Sequence, residues 1–120
     1  MRHIEPKTPK GPAEWFSGDV YPTIMLSGKK PSRVRIGSVH FAPDARTAWH
    51  SHAAGQHLHV TEGAALVQER YGKTVALSPG KTIYTAPEVE HWHRATSDTF
   101  MAHLAIWEAP APGTEEPETK

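Results

Sequence analysis

The chain has 120 residues, which suits a single domain, and its 13 lysines and arginines balance its 13 aspartates and glutamates. This balance gives no reason to expect a nucleic-acid or membrane partner, and no apolar run is long enough to span a bilayer. Cysteine is absent, so no disulfide can form; this is typical of a reducing compartment, and we expect a cytoplasmic protein.

The composition divides the chain into three parts. Residues 1–10 are polar and predict a flexible N-terminal arm, and residues 11–108 predict one barrel domain. Residues 109–120 are rich in proline, glutamate and threonine and predict a disordered acidic tail. The adjacent aromatic residues Trp15 and Phe16 indicate a hydrophobic plug at one end of the barrel, with a pocket cap or an interface anchor as alternatives.

Short strand-like runs separated by turns fill the central part. Eleven prolines and nine glycines mark the turns, and the runs lie at residues 19–26, 33–41, 47–52, 56–61, 64–70, 74–77, 83–85 and 99–107. Pro22 predicts an edge strand for the first run, and the runs on either side of Glu62-Gly63 predict a hairpin. No helical periodicity of comparable length is present, so the sequence predicts an all-β sandwich or jelly-roll barrel.

The chain carries nine histidines, most of them in its central part. His50 and His52 are two residues apart, so their side chains share one face of a strand. Gln56 opens the next run, and His91 follows a later turn. Imidazole is the commonest metal ligand among side chains. These four side chains predict a site for a divalent metal that leaves positions open for a further ligand.

The run that begins at Gln56 has two faces. His57 and His59 lie on the face opposite to Gln56, so we expect them at the surface or at an interface. Gln56 is neutral, and three imidazoles with a neutral amide leave the full dipositive charge on the metal. This favours a Lewis-acid role over redox cycling. Oxygen and imidazole ligands suit manganese or iron, with nickel, cobalt and zinc as alternatives.

The spacing of these residues resembles the first motif of the cupin superfamily. That motif is a glycine, five residues, His-x-His, three or four residues, a glutamate or glutamine, six residues and a glycine. His50, His52, Gln56 and Gly63 fit it, whereas Asp44 stands where the first glycine is expected. The resemblance implies a cupin-type jelly-roll barrel.

The second cupin motif runs from a glycine to a histidine eleven residues later, with Pro-x-Gly between them. Gly80 and His91 fit, Pro87 lies one position late, and Glu88 stands where the inner glycine is expected. Residues 10–18, 45–50, 91–93 and 103–106 narrow the likeness further. They resemble the small bacterial cupins that include the manganese-dependent hydroxynitrile lyases, and the likeness covers residues 11–108.

Residues beyond the four ligands are also candidates for roles in the site. His103 lies on the closing strand, at the position where the lyases use a base. His93 shares a strand face with His91 and is a second candidate for the base or a supporting core residue. Arg46, Tyr84 and Trp107 are candidates for the substrate pocket, and Trp107 replaces a glutamine expected in the lyases.

Three functions follow as hypotheses. The first is a metal-dependent enzyme that cleaves or forms cyanohydrins with a Lewis-acid metal and a histidine base. The second is a cupin dioxygenase, and the third is a non-catalytic cupin that binds a small molecule or a metal. In each case the partner is a small molecule. A partner chain would bury the unpaired edge of the first strand and the apolar Trp15-Phe16 pair. We therefore also expect a homodimer or a dimer of dimers.

Overall fold

The computed structural model describes residues 1–110, so the predicted acidic tail lies almost entirely outside the described residues. Ten strands form the domain: β1 (Phe16–Ser17), β2 (Val20–Ser27), β3 (Val34–Phe41), β4 (Arg46–Thr47), β5 (Gln56–Gly63), β6 (Ala65–Glu69), β7 (Thr74–Leu77), β8 (Thr82–Thr85), β9 (His91–Ala95) and β10 (Met101–Glu108). Within these residues no helix is long and apolar enough to cross a membrane.

The strands form two five-stranded antiparallel sheets. The first has the order β1-β4-β9-β6-β7, and the second has the order β2-β3-β10-β5-β8. Consecutive strands therefore often lie in different sheets, as they do in a jelly roll. The all-β prediction is confirmed. The edge position predicted from Pro22 is also confirmed, because β2 pairs only with β3 among the described strands.

The predicted hairpin around Glu62-Gly63 is wrong. β5 pairs with β10 and β8 in the second sheet, whereas β6 pairs with β9 and β7 in the first. The chain changes sheets at Gly63, where φ is 75°. A side chain there would overlap the carbonyl group of Phe100, so this corner needs glycine for both its backbone angle and its close approach.

The predicted strand at residues 47–52 is also shorter than expected. β4 ends at Thr47, although the next N–H, that of Ala48, still donates to the carbonyl of Trp15, the residue before β1, at 2.7 Å. The chain rejoins the sheet only at His50, which forms an isolated bridge with His91. His52 therefore lies in a loop, where the rule of alternating faces does not apply.

Apolar side chains between the sheets form two clusters. The first contains Phe16, Val20, Val39, Phe41, Ala45, Val60, Ala65, Ala95 and Met101, with Trp15 packed against it. The predicted aromatic plug is thus part of the core. The second contains Leu58, Val67, Ala105 and Trp107. The Phe41 ring contacts His103, with ring centres 5.2 Å apart, and the Trp107 ring contacts His52 at 5.7 Å. The buried histidines therefore touch both clusters.

Two residues that stand in place of motif glycines keep a backbone conformation typical of glycine. Asp44 has a φ of 66°, and Glu88 has a φ of 67°. Left-handed angles of this kind are uncommon for residues with a side chain. The two departures from the motif therefore change the side chain but not the course of the backbone.

Candidate metal centre

Six polar side chains meet between the two sheets, and each is almost fully buried. They belong to three separate segments of the chain, and they are His50, His52, Gln56, His91, His93 and His103. Paired backbone hydrogen bonds between His50 and His91, of 3.0 and 2.8 Å, fix the first segment against the start of β9.

Backbone carbonyls orient two of these imidazole rings. His50 Nδ1 donates to the carbonyl of Ala48 at 2.8 Å, and His91 Nδ1 donates to the carbonyl of Val89 at 3.1 Å. Since Nδ1 carries the proton in both neutral rings, Nε2 carries a lone pair in both. A metal-binding histidine typically has this arrangement, in which the other ring nitrogen is held by a hydrogen bond.

The nitrogen atoms of three histidines converge. Ligand atoms of His50, His91 and His93 all lie within 4.8 Å of one another. The Nε2 atoms of His93 and His50 are 3.2 Å apart, and Gln56 Oε1 lies 3.1 Å from His91 Nε2. In the latter pair, as the amide is oriented, two acceptor atoms face each other, and a cation beside both would satisfy them. The donor set therefore fits a divalent metal ion.

His52 lies beside the group of His50, His91 and His93 but is not one of the three histidines whose ligand atoms lie within 4.8 Å of one another. Its ring centre is 5.3 Å from that of His50 and 5.9 Å from that of His91. The close three-histidine group thus includes His93, for which the sequence predicted a different role. The spacing His91-x-His93 matches His50-x-His52, and this match was the available signal for a ligand at His93.

Burial keeps His91, His93 and His103 neutral. It lowers the pKa of His91 to about 4, against a smaller opposing effect of the hydrogen bond to Val89. It also lowers the pKa of His103 to about 4. Burial and the neighbouring histidine His103 hold the pKa of His93 well below its usual range. All three rings are therefore uncharged at neutral pH, as metal binding and proton acceptance both require.

His93 joins His103 to the cluster. His103 Nε2 lies 3.1 Å from His93 Nδ1, so the rings of His103, His93 and His50 form a hydrogen-bonded chain. The other nitrogen of His103, Nδ1, is buried and has no hydrogen-bond partner among residues 1–110. The backbone N–H of His93 donates to Thr47 Oγ1 at 3.2 Å, a supporting contact that the sequence did not reveal.

The predicted pocket residues lie in different places. Arg46 packs over the ring of Trp92 at 5.1 Å; Trp92 lies between two inward-facing histidines and so occupies the outer face. Tyr84 is 51% exposed and contacts the ring of His57, which faces outward as predicted. The structure therefore brings neither Arg46 nor Tyr84 to the buried histidine cluster. Trp107 does lie there, against His52.

Comparisons with known proteins agree with this architecture. The cupin domain family matches residues 37–107. The chain is 43% identical to the (R)-mandelonitrile lyase of Granulicella tundricola over 99 residues, which cover 82% of this chain and 76% of that protein.

Solved structures are also similar. A cupin-like protein from Thermotoga maritima superimposes with a TM-score of 0.82 at 33% identity, over 89% of this chain and 81% of that one. A cupin 2 conserved barrel domain protein from Rhodopseudomonas palustris has a TM-score of 0.70 at 17% identity, over 94% of this chain and 77% of that one, and shows the shared fold alone. Sequence, fold and buried histidines together establish that the chain belongs to the cupin family.

Proposed function

We propose that this protein is a metal-dependent hydroxynitrile lyase, which splits a cyanohydrin into a carbonyl compound and hydrogen cyanide and catalyses the reverse addition. The observation that carries the proposal is the buried histidine cluster, with His103 joined to it through His93. The 43% identity to a mandelonitrile lyase supports this choice of reaction. The cytoplasmic location remains a prediction from the sequence.

His50, His52, Gln56 and His91 are the proposed ligands of a divalent metal. We propose manganese, with iron, nickel, cobalt and zinc as alternatives. Bound there, such an ion supplies Lewis acidity toward the oxygen of the substrate. His91 is neutral because burial holds its pKa far below the ordinary value.

His103 is the proposed base. His50 Nε2 has a single lone pair, which a bound metal would use. With His93 outside the ligand set, His93 keeps its proton on Nε2, and His103 Nε2–H donates to the lone pair of His93 Nδ1. His103 Nδ1 then carries a lone pair in a buried position. It takes the hydroxyl proton of the cyanohydrin as the C–CN bond breaks, the bonding electrons leave with cyanide, and the proton then passes to cyanide.

The test is turnover of metal-loaded enzyme with mandelonitrile, with and without oxygen. We expect cleavage in both atmospheres, and we expect His103→Ala to retain its metal while losing about a hundredfold or more in turnover, as removal of a general base typically does. His57→Ala, on the outer face, is the matched control and should be fully active. Unchanged turnover per folded molecule in His103→Ala would remove the base assignment.

Other outcomes of this assay point to the other two hypotheses. Oxygen uptake without cyanide release would indicate a dioxygenase. Retained metal without turnover in either assay would indicate a binding protein.

We also propose that two copies of the chain associate through the outer face of the second sheet. Exposed apolar side chains lie on that face at Tyr21, Tyr84 and Ile106, which are 40%, 51% and 36% exposed. Covering them would remove an apolar surface from water. Light scattering at micromolar concentration should give the mass of a dimer or a tetramer, and a monomer mass would contradict the proposal.

A further inference from the structure

Two arginines face each other on the outer side of the first sheet. Arg46 of β4 and Arg94 of β9 are directly opposite, and theirs is the one residue pair in the register of these two strands. Directly opposed residues of an antiparallel pair share a face, with Cβ atoms about 4.5–5.5 Å apart, and like charges in this position are destabilising. The junction of β4 with β9 therefore carries an electrostatic cost that a bound anion would offset.

Both guanidinium groups pack against one aromatic ring. The guanidinium carbon of Arg46 lies 5.1 Å from the ring centre of Trp92, and that of Arg94 lies 6.0 Å from the same centre. Trp92 is only 8% exposed, so the packing of the sheet fixes this ring. Cation–π contacts with a fixed ring restrict both arginines before any ligand arrives, which lowers the entropic cost of binding one.

Both guanidinium groups have hydrogen-bonding capacity that residues 1–110 do not use. Arg46 forms no hydrogen bond or ion pair with this part of the chain. Arg94 Nη1 lies 3.7 Å from Asp44 Oδ1, beyond hydrogen-bond range, and the buried Arg94 Nε has no hydrogen-bond partner within the described residues. Two arginines and one aspartate leave a net charge of +1 around Trp92.

The neighbouring tryptophan has an arginine whose carboxylate partner is built into the chain. Arg70 lies 4.3 Å from the ring centre of Trp49. Its guanidinium donates two hydrogen bonds to the carboxylate of Glu90, of 2.9 and 3.2 Å. A bidentate pair of this kind is a strong, charge-assisted contact. The same face of the sheet thus carries arginine on tryptophan twice, once with a carboxylate supplied by the chain and once without.

We propose that Arg46 and Arg94 form a binding site for a carboxylate group of another molecule. A carboxylate matches the net charge of +1, whereas a phosphate monoester, with a charge of about −1.5 to −2, exceeds it. Arg94 follows His93, and Arg46 precedes Thr47, whose Oγ1 accepts the N–H of His93. The site therefore lies on the reverse side of the strands that support His93, and its occupation does not depend on the proposed lyase function.

Nitrogen-15 NMR of the arginine side chains tests the site in the full-length protein. Acetate replaces chloride at constant ionic strength. The Nε–H signals of Arg46 and Arg94 should shift together along one saturating curve. The signal of Arg70, whose guanidinium is already held by Glu90, should stay in place. Signals that do not move, or that move without saturation in every arginine, would overturn the proposal.

Variants of one arginine then test whether the two act as a pair. Arg46→Gln should abolish the shift of the Arg94 signal with acetate. Arg70→Gln, the matched control on the same face, should leave that shift unchanged. Arg46→Lys keeps the charge and, with it, the electrostatics of the fold, but lacks the planar fork; it should move the midpoint to higher acetate concentration. An undiminished response of Arg94 in both Arg46 variants would exclude a paired site.

The carboxylate has two possible sources, a small molecule and an acidic side chain of another protein. Acetate and an end-blocked peptide of two glutamates are compared at equal carboxylate concentration. A lower midpoint for the peptide assigns the site to an acidic protein segment, and equal midpoints assign it to small carboxylates. No turnover is measured in these experiments, so the carboxylate site and the lyase function can fail separately.

Discussion

The position of one proton on His93 determines what His103 can do. If His93 Nε2 carries a lone pair toward a metal, Nδ1 carries the proton and donates to His103 Nε2. The second nitrogen of His103 must then hold the proton of the neutral ring, and His103 cannot act as a base. If His93 Nε2 carries the proton instead, His103 Nδ1 is available to accept one. A base at His103 is therefore compatible only with a ligand set that excludes His93.

Metal content of single variants distinguishes these two arrangements. We expect His50→Ala, His52→Ala and His91→Ala to lose bound metal while the barrel stays folded, because these variants leave all residues of the two apolar clusters in place. Gln56→Ala should weaken binding less, since an amide oxygen is a poorer donor than imidazole. His93→Ala should keep its metal; elemental analysis showing that it loses metal while His52→Ala does not would establish His93 as the ligand.

Glu88 provides a test of backbone strain. Its left-handed conformation, with a φ of 67°, costs roughly 1–2 kcal/mol for a residue with a side chain, of which about 0.5–1 kcal/mol is offset by the greater freedom of glycine in the unfolded chain. Glu88→Gly should therefore raise the free energy of unfolding by about 0.5–1 kcal/mol.

Urea denaturation measures this change. The matched control is His57→Gly in the regularly paired part of β5, which should be destabilised because glycine is unfavourable within a strand. A loss of stability in Glu88→Gly comparable to that of the control would contradict the argument.

Strand β9 is held from outside by an aromatic and cationic stack. Trp92 lies between His91 and His93 in the sequence and packs on the other face of the sheet, where its ring meets that of Trp49 at 6.3 Å. Arg46 covers Trp92 at 5.1 Å, and Arg70 covers Trp49 at 4.3 Å. Each of the two tryptophans is next in sequence to a histidine of the cluster. The outer stack thus fixes the backbone from which the inner ligands project.

Removal of this packing should be costly. We expect Trp92→Ala to lower the free energy of unfolding by about 3–5 kcal/mol, as truncation of a buried aromatic residue does, because Trp92 is only 8% exposed. Tyr84→Ala, which truncates a half-exposed aromatic side chain on the other sheet, should cost far less. Thermal or urea unfolding of the two variants compares them, and similar losses would show that the stack does not hold β9.

Alternation within a strand was predictable, whereas pairing between strands was not. The shared inward face of Met101, His103, Ala105 and Trp107 follows from a period of two, and the structure confirms it. The outward position of Arg46 depends on its register with Arg94, which no local pattern contains.

At the scale of the whole molecule, the neutral buried histidines make stability depend on pH. An unfolded histidine has a pKa near 6.5, whereas burial lowers those of His91 and His103 to about 4. The unfolded chain therefore binds more protons in this range. Stability should be fully present above about pH 6.5 and should be lost as the pH falls toward 4, by up to about 1.4 kcal/mol per unit of pKa difference for each histidine.

Urea midpoints measured from pH 7.5 to 4.5 in chelator-treated protein check this dependence. His103→Gln removes one of the buried histidines whose pKa is lowered and should show a shallower slope. A midpoint that stays constant from pH 6.5 to 4.5 would contradict the expected linkage.

The position of β10 has a consequence for how the protein is made. It is the last strand of the described chain, yet it lies at the centre of the second sheet, between β3 and β5, and the pairing of Met101 with Phe41 spans half of the sequence. On the ribosome, β3 and β5 must wait for this strand before the sheet can close, and such distant pairings make folding slow. Because His103 arrives with β10, the proposed base enters the barrel only in the step that completes it.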